Sequence, residues 1–485
     1  MSASTKHFTQ KSFTFFTINY VIGVGFLTTI GTLVQFSLWG YLIILLSAFV
    51  IFAVSLVFSR LADNFKENYG GSYAFVRHLD NDNKTDRQRK IFNNFSFFVG
   101  WNQFVQNPIL SSVSPLFLAS AIIGLFPQDT PNYLTYVWIT RILSLLFFIF
   151  LIFLSTIGLK TNKKIILVTS TVKWFALLMG IGILVYSVIT DNRFDENFTE
   201  FARNGSKNVN AQLILSNALL FVYAFAGTED VSAMVKDVEV KSFRRILIIS
   251  FAAVLTFYMV AFTLLLGFDA IKTKQGMIGI YSVFLIFGSI LFIIGYLAND
   301  VTSKITASVS TARKLVPICE DGNLFYQLTK KNKKGEFQNA IWFTTVITLI
   351  TLVVFWVMNI FLGSTAEGEQ DRFFETAILG SAVALVIEDF CTFITAFLLE
   401  RKKVIKPIPI WEKIIYVLAM ILILVLMISY FFPQIYGVAP NSNTVVVISI
   451  YFAFIVFGII LNVISKKISP KWYNLKQKKN KKLEK

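Results

Sequence analysis

The sequence predicts an all-α integral membrane protein with twelve transmembrane helices, and three observations support this fold class. Hydrophobic residues make up 55% of the 485 residues and the mean hydropathy is +0.65, values that exclude an ordinary soluble protein. Twelve apolar runs are each long enough to cross a hydrocarbon core, which takes about 20 residues of helix. Two of these runs, five spans apart, are interrupted near mid-membrane depth by glycines or carboxylates.

The predicted spans follow one another along the chain. The first run lacks a small-residue cleavage site after a short apolar core, so we expect it to remain as a helix and not to be removed as a signal peptide. The twelve spans lie at residues 12–37, 39–62, 94–125, 134–157, 164–190, 211–235, 244–267, 280–312, 338–362, 374–399, 411–432 and 443–465.

The distribution of charge predicts the orientation of the spans. With the N-terminus placed inside, every inner segment is net positive, whereas only one outer loop is, as the positive-inside rule requires. The net charge of +17 therefore indicates topology, with both termini cytoplasmic, and not nucleic-acid binding. The basic tail at 466–485 is expected to be solvated, with contact to anionic lipid as the alternative. Frequent Phe, Ile, Asn and Lys, typical of AT-rich genomes, favour a bacterial cell membrane.

The first interrupted span contains the run Ile22, Gly23, Val24 and Gly25, all predicted to contact substrate. Glycine lets the backbone leave helical geometry and lets a ligand approach it closely. In the predicted orientation, an outer half-helix starts near Gly25, and its free N–H groups favour an anionic group such as a carboxylate. Close helix packing by small residues is the alternative explanation for the glycines.

The second interrupted span carries acidic residues inside an apolar run. Carboxylates are costly within a span and mark a functional site by default. The carbonyls of Tyr223 to Ala226 are expected to lose their partners at this break and to accept hydrogen bonds from an ammonium group, so the two breaks together fit the zwitterionic head of an amino acid. The predicted substrate contacts here are Tyr223, Phe225, Ala226 and Gly227, and the residues predicted to act in coupling or gating are Glu229 and Asp230.

The separation of the two breaks by five spans predicts an inverted repeat. Span one runs from inside to outside, so span six must run the other way, and the second half of the protein is inverted relative to the first. The predicted first repeat covers residues 12–190, and the second covers residues 211–399. Two extra helices follow at 411–465, within a single polytopic membrane domain that spans residues 1–485.

Four short motifs, in matching order and topology, resemble the amino acid permeases of the amino acid–polyamine–organocation superfamily. The first is the glycine motif of span one, in which Val24 stands where the family usually has serine. The others are the segment 225–229 in span six, the segment 67–76 after span two, and the segment 310–324 at the end of span eight. The resemblance covers spans one to eight and implies a leucine-transporter-like fold and amino acid transport. It also implies that Asn107 in span three lines the side-chain pocket, with a packing role within the bundle as the alternative. No prosthetic cofactor is expected.

Lys173, in the middle of span five, is also predicted to have a function. A lysine at this depth is expensive unless it is paired or deprotonated. The resemblance implies that its ammonium takes the place of the sodium ion of related sodium-coupled carriers, and therefore that transport is coupled to protons or at least independent of sodium. Alternatively, the side chain reaches the inner membrane surface, about 14 Å away along the helix.

Other charged residues also lie inside predicted spans. Asp300 and Lys304, four residues apart on span eight, share a face and are able to neutralise each other. Glu388 and Asp389 in span ten have three open roles: neutralising Arg141, carrying protons or contacting a cationic substrate side chain. Of these two acids, Glu388 is the one predicted to act in coupling or gating. The two histidines and two cysteines form no metal or disulfide set.

These observations predict a secondary active transporter that moves amino acids by alternating access, with proton coupling or exchange. Acids within the spans exceed bases by two, which favours a basic substrate such as lysine, arginine or ornithine. The same fold is also compatible with a polyamine, a nucleobase or potassium. A membrane enzyme is disfavoured because the loops hold no metal or nucleophile set, and a channel because the sequence has no carbonyl-rich filter. The expected partners are the amino acid, a coupling proton and the lipid bilayer.

Overall fold

A computed structural model describes most of the chain. The described residues are 8–23, 26, 29–69, 71–79, 86–112, 114–123, 129, 131–205, 209–239, 242–269, 277–361, 369–439 and 442–468. They form a nearly all-helical molecule whose one small sheet pairs β1 (Phe8–Thr9) in parallel with β2 (Val238–Glu239).

The α-helices include long apolar helices and short connecting ones. In chain order they are α1 (Gln10–Val21), α2 (Trp39–Asn64), α3 (Gly71–Arg77), α4 (Asp86–Ser111), α5 (Ser114–Ile123), α6 (Tyr133–Ser155), α7 (Leu159–Thr190), α8 (Phe194–Glu200), α9 (Ala211–Val222), α10 (Thr228–Ser232), α11 (Phe243–Leu266), α12 (Met277–Tyr281), α13 (Leu285–Glu320), α14 (Gln338–Phe361), α15 (Glu369–Arg401), α16 (Ile410–Phe431) and α17 (Ser442–Ile468). Short 3-10 turns lie at Gly31–Phe36, Tyr223–Phe225, Val235–Asp237, Ser282–Phe284, Tyr326–Thr329 and Pro433–Tyr436, and a π turn lies at Phe201–Gly205.

Nine helices within the described ranges have the length and hydropathy needed to cross a membrane. Each corresponds to one predicted span, so the chain is a multi-pass membrane protein. These helices are Trp39–Asn64, Tyr133–Ser155, Lys160–Thr190, Ala211–Ser232, Phe243–Leu266, Gly279–Glu320, Ala377–Arg401, Ile410–Phe431 and Thr444–Ile468.

Of the other three predicted spans, two are divided, and the third, at 338–362, is the continuous helix α14 (Gln338–Phe361). The span at 12–37 is divided, because α1 ends at Val21 and a 3-10 turn begins only at Gly31. The span at 94–125 is divided between α4 and α5, and Pro108, which has no N–H to donate, lies near the end of α4. The span at 338–362 is apolar over Gln338–Val354, and the side chains that follow lie outside the described residues.

Burial separates central helices from peripheral ones. In the most apolar parts of α2 and α15, 72% of the residues are buried, whereas the corresponding figure for α6 is 22%. Helix α6 accordingly exposes large apolar side chains such as Leu143 and Phe150, which suits a lipid-facing position. Helices α2 and α15 therefore belong to the centre of the bundle.

Long-range contacts bring both interrupted spans to this centre. Helix α1 packs along α11, and α9 packs along α2. Helix α7 packs along α13, and α4 packs along α15. The β1–β2 pairing also places the residues before α1 beside those that follow the second interrupted span, with Phe8 opposite Val238.

Candidate functional site

The first break follows directly from the end of α1. Ile22 caps this helix with φ −72° and ψ 80°, outside helical geometry, while its N–H still donates to the carbonyl of Ile18 at 3.0 Å. Gly23 continues the irregular backbone, whereas Val24 and Gly25 lie outside the described residues. A helical turn is present again where the N–H of Ile30 donates to Phe26 at 3.0 Å. The predicted interruption of span one is therefore present.

The second break is centred on Gly227. Helix α9 passes into the 3-10 turn Tyr223–Phe225, and Gly227 then adopts φ +132° before α10 begins at Thr228. A positive φ of this kind strongly favours glycine, because it has no Cβ to clash with the backbone. The glycine therefore permits the change of direction at this point of the span.

Two of the carbonyl groups predicted to be free at this break have partners within the protein. The carbonyl of Tyr223 accepts from the N–H of Ala226 at 3.0 Å, because a 3-10 turn keeps this bond. The carbonyl of Ala224 accepts from the hydroxyl of Tyr258 at 2.5 Å. The prediction that all carbonyls from Tyr223 to Ala226 would lose their partners is therefore wrong for these two.

The two breaks cross each other. The hydroxyl of Tyr20 in α1 donates to a carboxylate oxygen of Asp230 at 2.6 Å. The hydroxyl of Tyr258 also lies 3.3 Å from the carbonyl oxygen of Val21, so this residue of α11 contacts both breaks. Gly227 lies so close to α1 that a Cβ atom there would come within 3.1 Å of the side chains of both Tyr20 and Val21.

A cavity of about 90 Å³ lies at this crossing. Its lining combines the two breaks with one face each of α4, α5, α13 and α15. The lining includes Tyr20, Gly23, Gln106, Asn107, Ser111, Ser114, Tyr223, Ala226, Glu229, Asp230, Ser303, Lys304 and Lys314. Of the predicted substrate contacts, Gly23, Tyr223, Ala226 and Asn107 therefore line the cavity.

The remaining described substrate contacts lie beside this cavity. Ile22 lines a second cavity of about 20 Å³, on the side of Lys173. Phe225 is buried against the ring of Tyr258, with 4.8 Å between the ring centroids. Gly227 packs against α1, as described above. Phe225 and Gly227 therefore shape the second break without lining the cavity.

An ion pair that the sequence did not predict holds one wall of the cavity. The ammonium of Lys314 donates to the carboxylate of Asp230 at 2.7 Å, and the side chain of Lys314 is buried. The hydroxyl of Ser310 donates to the same carboxylate at 3.0 Å. The predicted span eight ends at residue 312, which leaves Lys314 in the inner loop. In the structure α13 continues to Glu320, so Lys314 belongs to the helix. Its helical spacing from Ser303 and Ala307 was the available signal that it shares their face.

Glu229 has one oxygen engaged and one without a partner. Its Oε1 accepts from the N–H of Gly227 at 2.9 Å, which ties the side chain to the break. Its Oε2 is buried and has no hydrogen-bond partner among the described residues, although the side chain lines the cavity. A ligand ammonium in the cavity would supply the partner that this oxygen lacks.

Asn107 has both of the roles considered for it. Its amide donates to the carbonyl of Ala307 at 3.2 Å and to the hydroxyl of Thr311, so it joins α4 to α13. The hydroxyl of Ser111 donates to its oxygen at 2.6 Å. Since Asn107 also lines the cavity, helix packing fixes the orientation in which it is presented there.

Lys173 points inward and does not reach the membrane surface. It is 2% exposed, and its ammonium donates to the backbone carbonyl of Asn19 in α1 at 2.5 Å. One turn earlier, the hydroxyls of Thr169 and Thr302 lie 2.8 Å apart and join α7 to α13. The side chains of Asn19, Asn299 and Ser303 contain buried polar atoms without partners among the described residues. Lys173 therefore lies in a polar region next to the first break.

The acids of α15 have contrasting surroundings. Glu388 accepts from the hydroxyl of Ser72 and from the amide of Gln106, each at 2.5 Å, so both of its oxygens are engaged. Asp389 is fully buried, and neither of its oxygens has a hydrogen-bond partner among the described residues. Neither acid lines the two cavities described above.

The other charged residues within spans have local partners. Asp300 accepts from the hydroxyl of Ser114 at 2.8 Å, whereas the ammonium of Lys304 lies over the ring of Phe148 at 5.7 Å. Arg141 lies over the ring of Trp138 in its own helix, 5.6 Å from the ring centre.

Comparison with known proteins identifies the family. The model of the amino acid permease family matches residues 8–460, which is most of the chain. The chain therefore belongs to the amino acid permeases of the amino acid–polyamine–organocation superfamily, a family of membrane transporters for small molecules.

Relatives with similar length are found in mycoplasmas. The uncharacterized protein MG225 of Mycoplasma genitalium is 31% identical over 477 residues, covering 95% of each chain. The uncharacterized protein MG226 of the same organism is 29% identical over 470 residues, covering 92% of this chain and 93% of MG226. The MG226 homolog of Mycoplasma pneumoniae is 28% identical, covering 94% of this chain and 93% of the homolog.

Proposed function

We propose that this permease carries an amino acid across the cell membrane by alternating access, coupled to protons or by exchange. The observation that carries the proposal is the cavity at the crossing of two interrupted helices. Residues of both breaks, together with Glu229, line this space, and polar side chains lie on its other walls. Such crossings near the bilayer midplane are where transporters of inverted repeats bind their substrates.

The two breaks suit the two charges of an amino acid. The N–H groups of Gly23 to Gly25 would bind the α-carboxylate at the start of the outer half-helix, whereas the N–H of Ile22 already donates to Ile18. The α-ammonium would lie at the second break, where Ala226 and the unpartnered oxygen of Glu229 face the cavity. Asp230 is already neutralised by Lys314, so Glu229 is the acid available to this ammonium.

The charge of the cavity bears on the substrate side chain. The sequence favoured a basic side chain because acids within the spans exceed bases by two, but Lys314 is a further buried base. Lys304 also lines the cavity, so two bases stand among its lining residues beside Glu229 and Asp230. A preference for lysine, arginine or ornithine would therefore depend on Glu229. Comparing the uptake of basic and neutral amino acids tests it directly.

The arrangement of helices supports two inverted repeats at 12–190 and 211–399. Contacts recur in matching pairs: α1 packs on α11 as α9 packs on α2, and α7 packs on α13 as α15 packs on α4. The β1–β2 pairing places the start of the first repeat's broken span next to the end of the second one. The extra helices at 411–465 and the tail at 466–485 then lie outside the repeats, with both termini in the cytoplasm.

Lys173 is the group we propose for coupling to protons. Its ammonium holds α7 to α1 through the carbonyl of Asn19. Without the proton, the amine loses its charge and this charge-assisted bond weakens, so the two helices would be freed to move apart. Protonation would thereby control the movement of α1 that alternating access requires.

Uptake into proteoliposomes tests the proposal. The purified protein is given labelled basic, neutral and acidic amino acids, a polyamine, a nucleobase and potassium, each with and without an imposed proton gradient. We expect uptake of an amino acid that rises with the gradient and does not require sodium. We expect Lys173→Ala to keep exchange of that amino acid but to lose the response to the gradient. Lys164→Ala, at an exposed position of the same helix, should keep both. Uptake driven by sodium, or an unchanged gradient response in Lys173→Ala, would contradict proton coupling through Lys173.

A further inference from the structure

Asp389 is a buried acid to which the site described above gives no role. It is 0% exposed in α15, and both of its oxygens lack hydrogen-bond partners among the described residues. The adjacent Glu388 differs, because Ser72 and Gln106 each donate to one of its oxygens. The surroundings of Glu388 therefore suit a carboxylate, whereas those of Asp389 suit a neutral acid.

The charges around Asp389 also favour its neutral form. Glu229 and Glu388 are the acids whose charges act on it, and Lys314 is the base. The ammonium of Lys314 is already paired with the carboxylate of Asp230 at 2.7 Å, and Cys391, two residues further along α15, is another titratable group near Asp389. Burying a carboxylate without hydrogen bonds, near like charges, is strongly unfavourable, and protonation removes this cost.

We propose that Asp389 is a second proton-binding site of this carrier, distinct from Lys173, which exchanges its proton with the cavity through Glu229. Glu229 connects the two because it lines the cavity, has an oxygen without a partner and acts electrostatically on Asp389. Glu229 and Asp389 together then carry at most one negative charge in the conformation seen here. The inference rests on the proposed proton-coupled transport and adds a second proton to it.

The position of Asp389 relative to the repeats supports this role. Lys173, on α7, stands behind the first break and binds the backbone of α1. Asp389 lies on α15, which packs against the 3-10 turn Tyr223–Phe225 of the second break, and Glu229 is the cavity acid whose charge acts on it. Helices α7 and α15 are the fifth helices of the two proposed repeats, so each interrupted span has one titratable group behind it. A movement that exposes Glu229 to water would allow Asp389 to release its proton.

Infrared spectra of variants and of the unmodified protein, compared by subtraction, test the protonation of Asp389 directly and do not depend on transport. The carbonyl band of a protonated carboxylic acid is expected to be weaker in Asp389→Asn than in the unmodified protein, because one such acid is lost. Glu388→Gln should keep the band, since Glu388 is expected to be ionised. In heavy water the Asp389 component should shift, and this exchange should be slower in Glu229→Gln. A band of equal strength in Asp389→Asn would overturn the proposal.

Proton counting in proteoliposomes is the second measurement. We expect Asp389→Asn to move one proton fewer for each amino acid than the unmodified protein does. Asp389→Glu retains an acid and should retain the original ratio, while Asp389→Ser should repeat the loss if Asp389→Asn does not fold. An unchanged ratio in both neutral variants would overturn the second proton site while leaving amino acid transport in place. Absence of any amino acid uptake would instead refute the proposed function, and the infrared result would still decide the state of Asp389.

Discussion

Gly227 and Tyr20 lie so close that a Cβ atom at Gly227 would come within 3.0 Å of the tyrosine ring. The hydroxyl of the same tyrosine donates at 2.6 Å to the carboxylate of Asp230, which lies three residues after Gly227. The end of α1 is therefore fitted against the backbone of the second break. This close approach, together with φ +132° at Gly227, explains why the span has glycine at this position.

We expect Gly227→Ala to abolish uptake and to lower the free energy of unfolding by about 1–3 kcal/mol. The added methyl group would force Tyr20 away and would strain the backbone at a positive φ. Uptake into proteoliposomes and thermal unfolding in detergent micelles measure the two effects. Gly182→Ala in α7 is the matched control, because a Cβ there meets nothing within 4 Å. It should leave uptake unchanged, and uptake equal to that of the unmodified protein in Gly227→Ala would refute the fit.

Arg313 lies at the centre of a buried cluster of charged side chains. Arg313 donates to Asp237 at 2.6 Å and to Glu336 at 3.2 Å, and all three side chains are at most 5% exposed. Tyr69 also donates to Asp237 at 2.7 Å. The cluster thus joins the end of α13 to the segment after the second break and to the segment that leads into α14.

Asp237→Asn should lower the free energy of unfolding by about 2–4 kcal/mol, because the buried guanidinium loses one of its two charged partners. Chemical or thermal unfolding in micelles measures this change. Asp191→Asn is the control, since Asp191 pairs with Arg193 at 2.9 Å on an exposed surface. The control should unfold like the unmodified protein, because solvent screens exposed pairs. Equal stability of both variants would show that the cluster around Arg313 contributes little.

The interruption of both spans could be predicted because it depends on local sequence. Glycine at 227 and paired carboxylates in an apolar run act within a few residues, and the structure has a break there. Lys173 was also identifiable, because a lysine in mid-span stands out from its own helix. Nine of the spans follow from hydropathy alone for the same reason.

The partners across the site could not be predicted from local sequence. Lys314 lies beside Arg313, and two adjacent bases at the end of an apolar run are typical of a loop. The carboxyl of Asp230 that neutralises Lys314 is distant in sequence and is brought near only by folding. In the same way, the short 3-10 turn sets the rotation of the second break, so that Phe225 faces Tyr258 and Tyr223 faces the cavity.

His78 provides a test of pH-dependent stability outside the membrane spans. Its ring stacks on Phe65 with 4.0 Å between ring centroids, and its Nε2 lies 2.9 Å from the amide nitrogen of Asn68. Because that amide can only donate, Nε2 must accept and the ring must be neutral. Burial, followed by the positive charge of Arg77, lowers the pKa of His78 from its ordinary value of 6.5.

A histidine whose pKa is lowered by folding stabilises the folded state above its unfolded pKa, and this stability is lost as the pH falls. We therefore expect the free energy of unfolding to decrease below about pH 6.5, by about 1 kcal/mol for the lost hydrogen bond. In His78→Gln, which keeps a polar side chain without a titrating group, this decrease should be smaller. Unfolding of both proteins between pH 8 and pH 5 measures the difference. The variant should retain the response of uptake to a proton gradient, because Lys173 and not His78 is proposed to cause it. An identical loss of stability in both proteins would show that protonation of His78 does not disturb its contacts with Phe65 and Asn68.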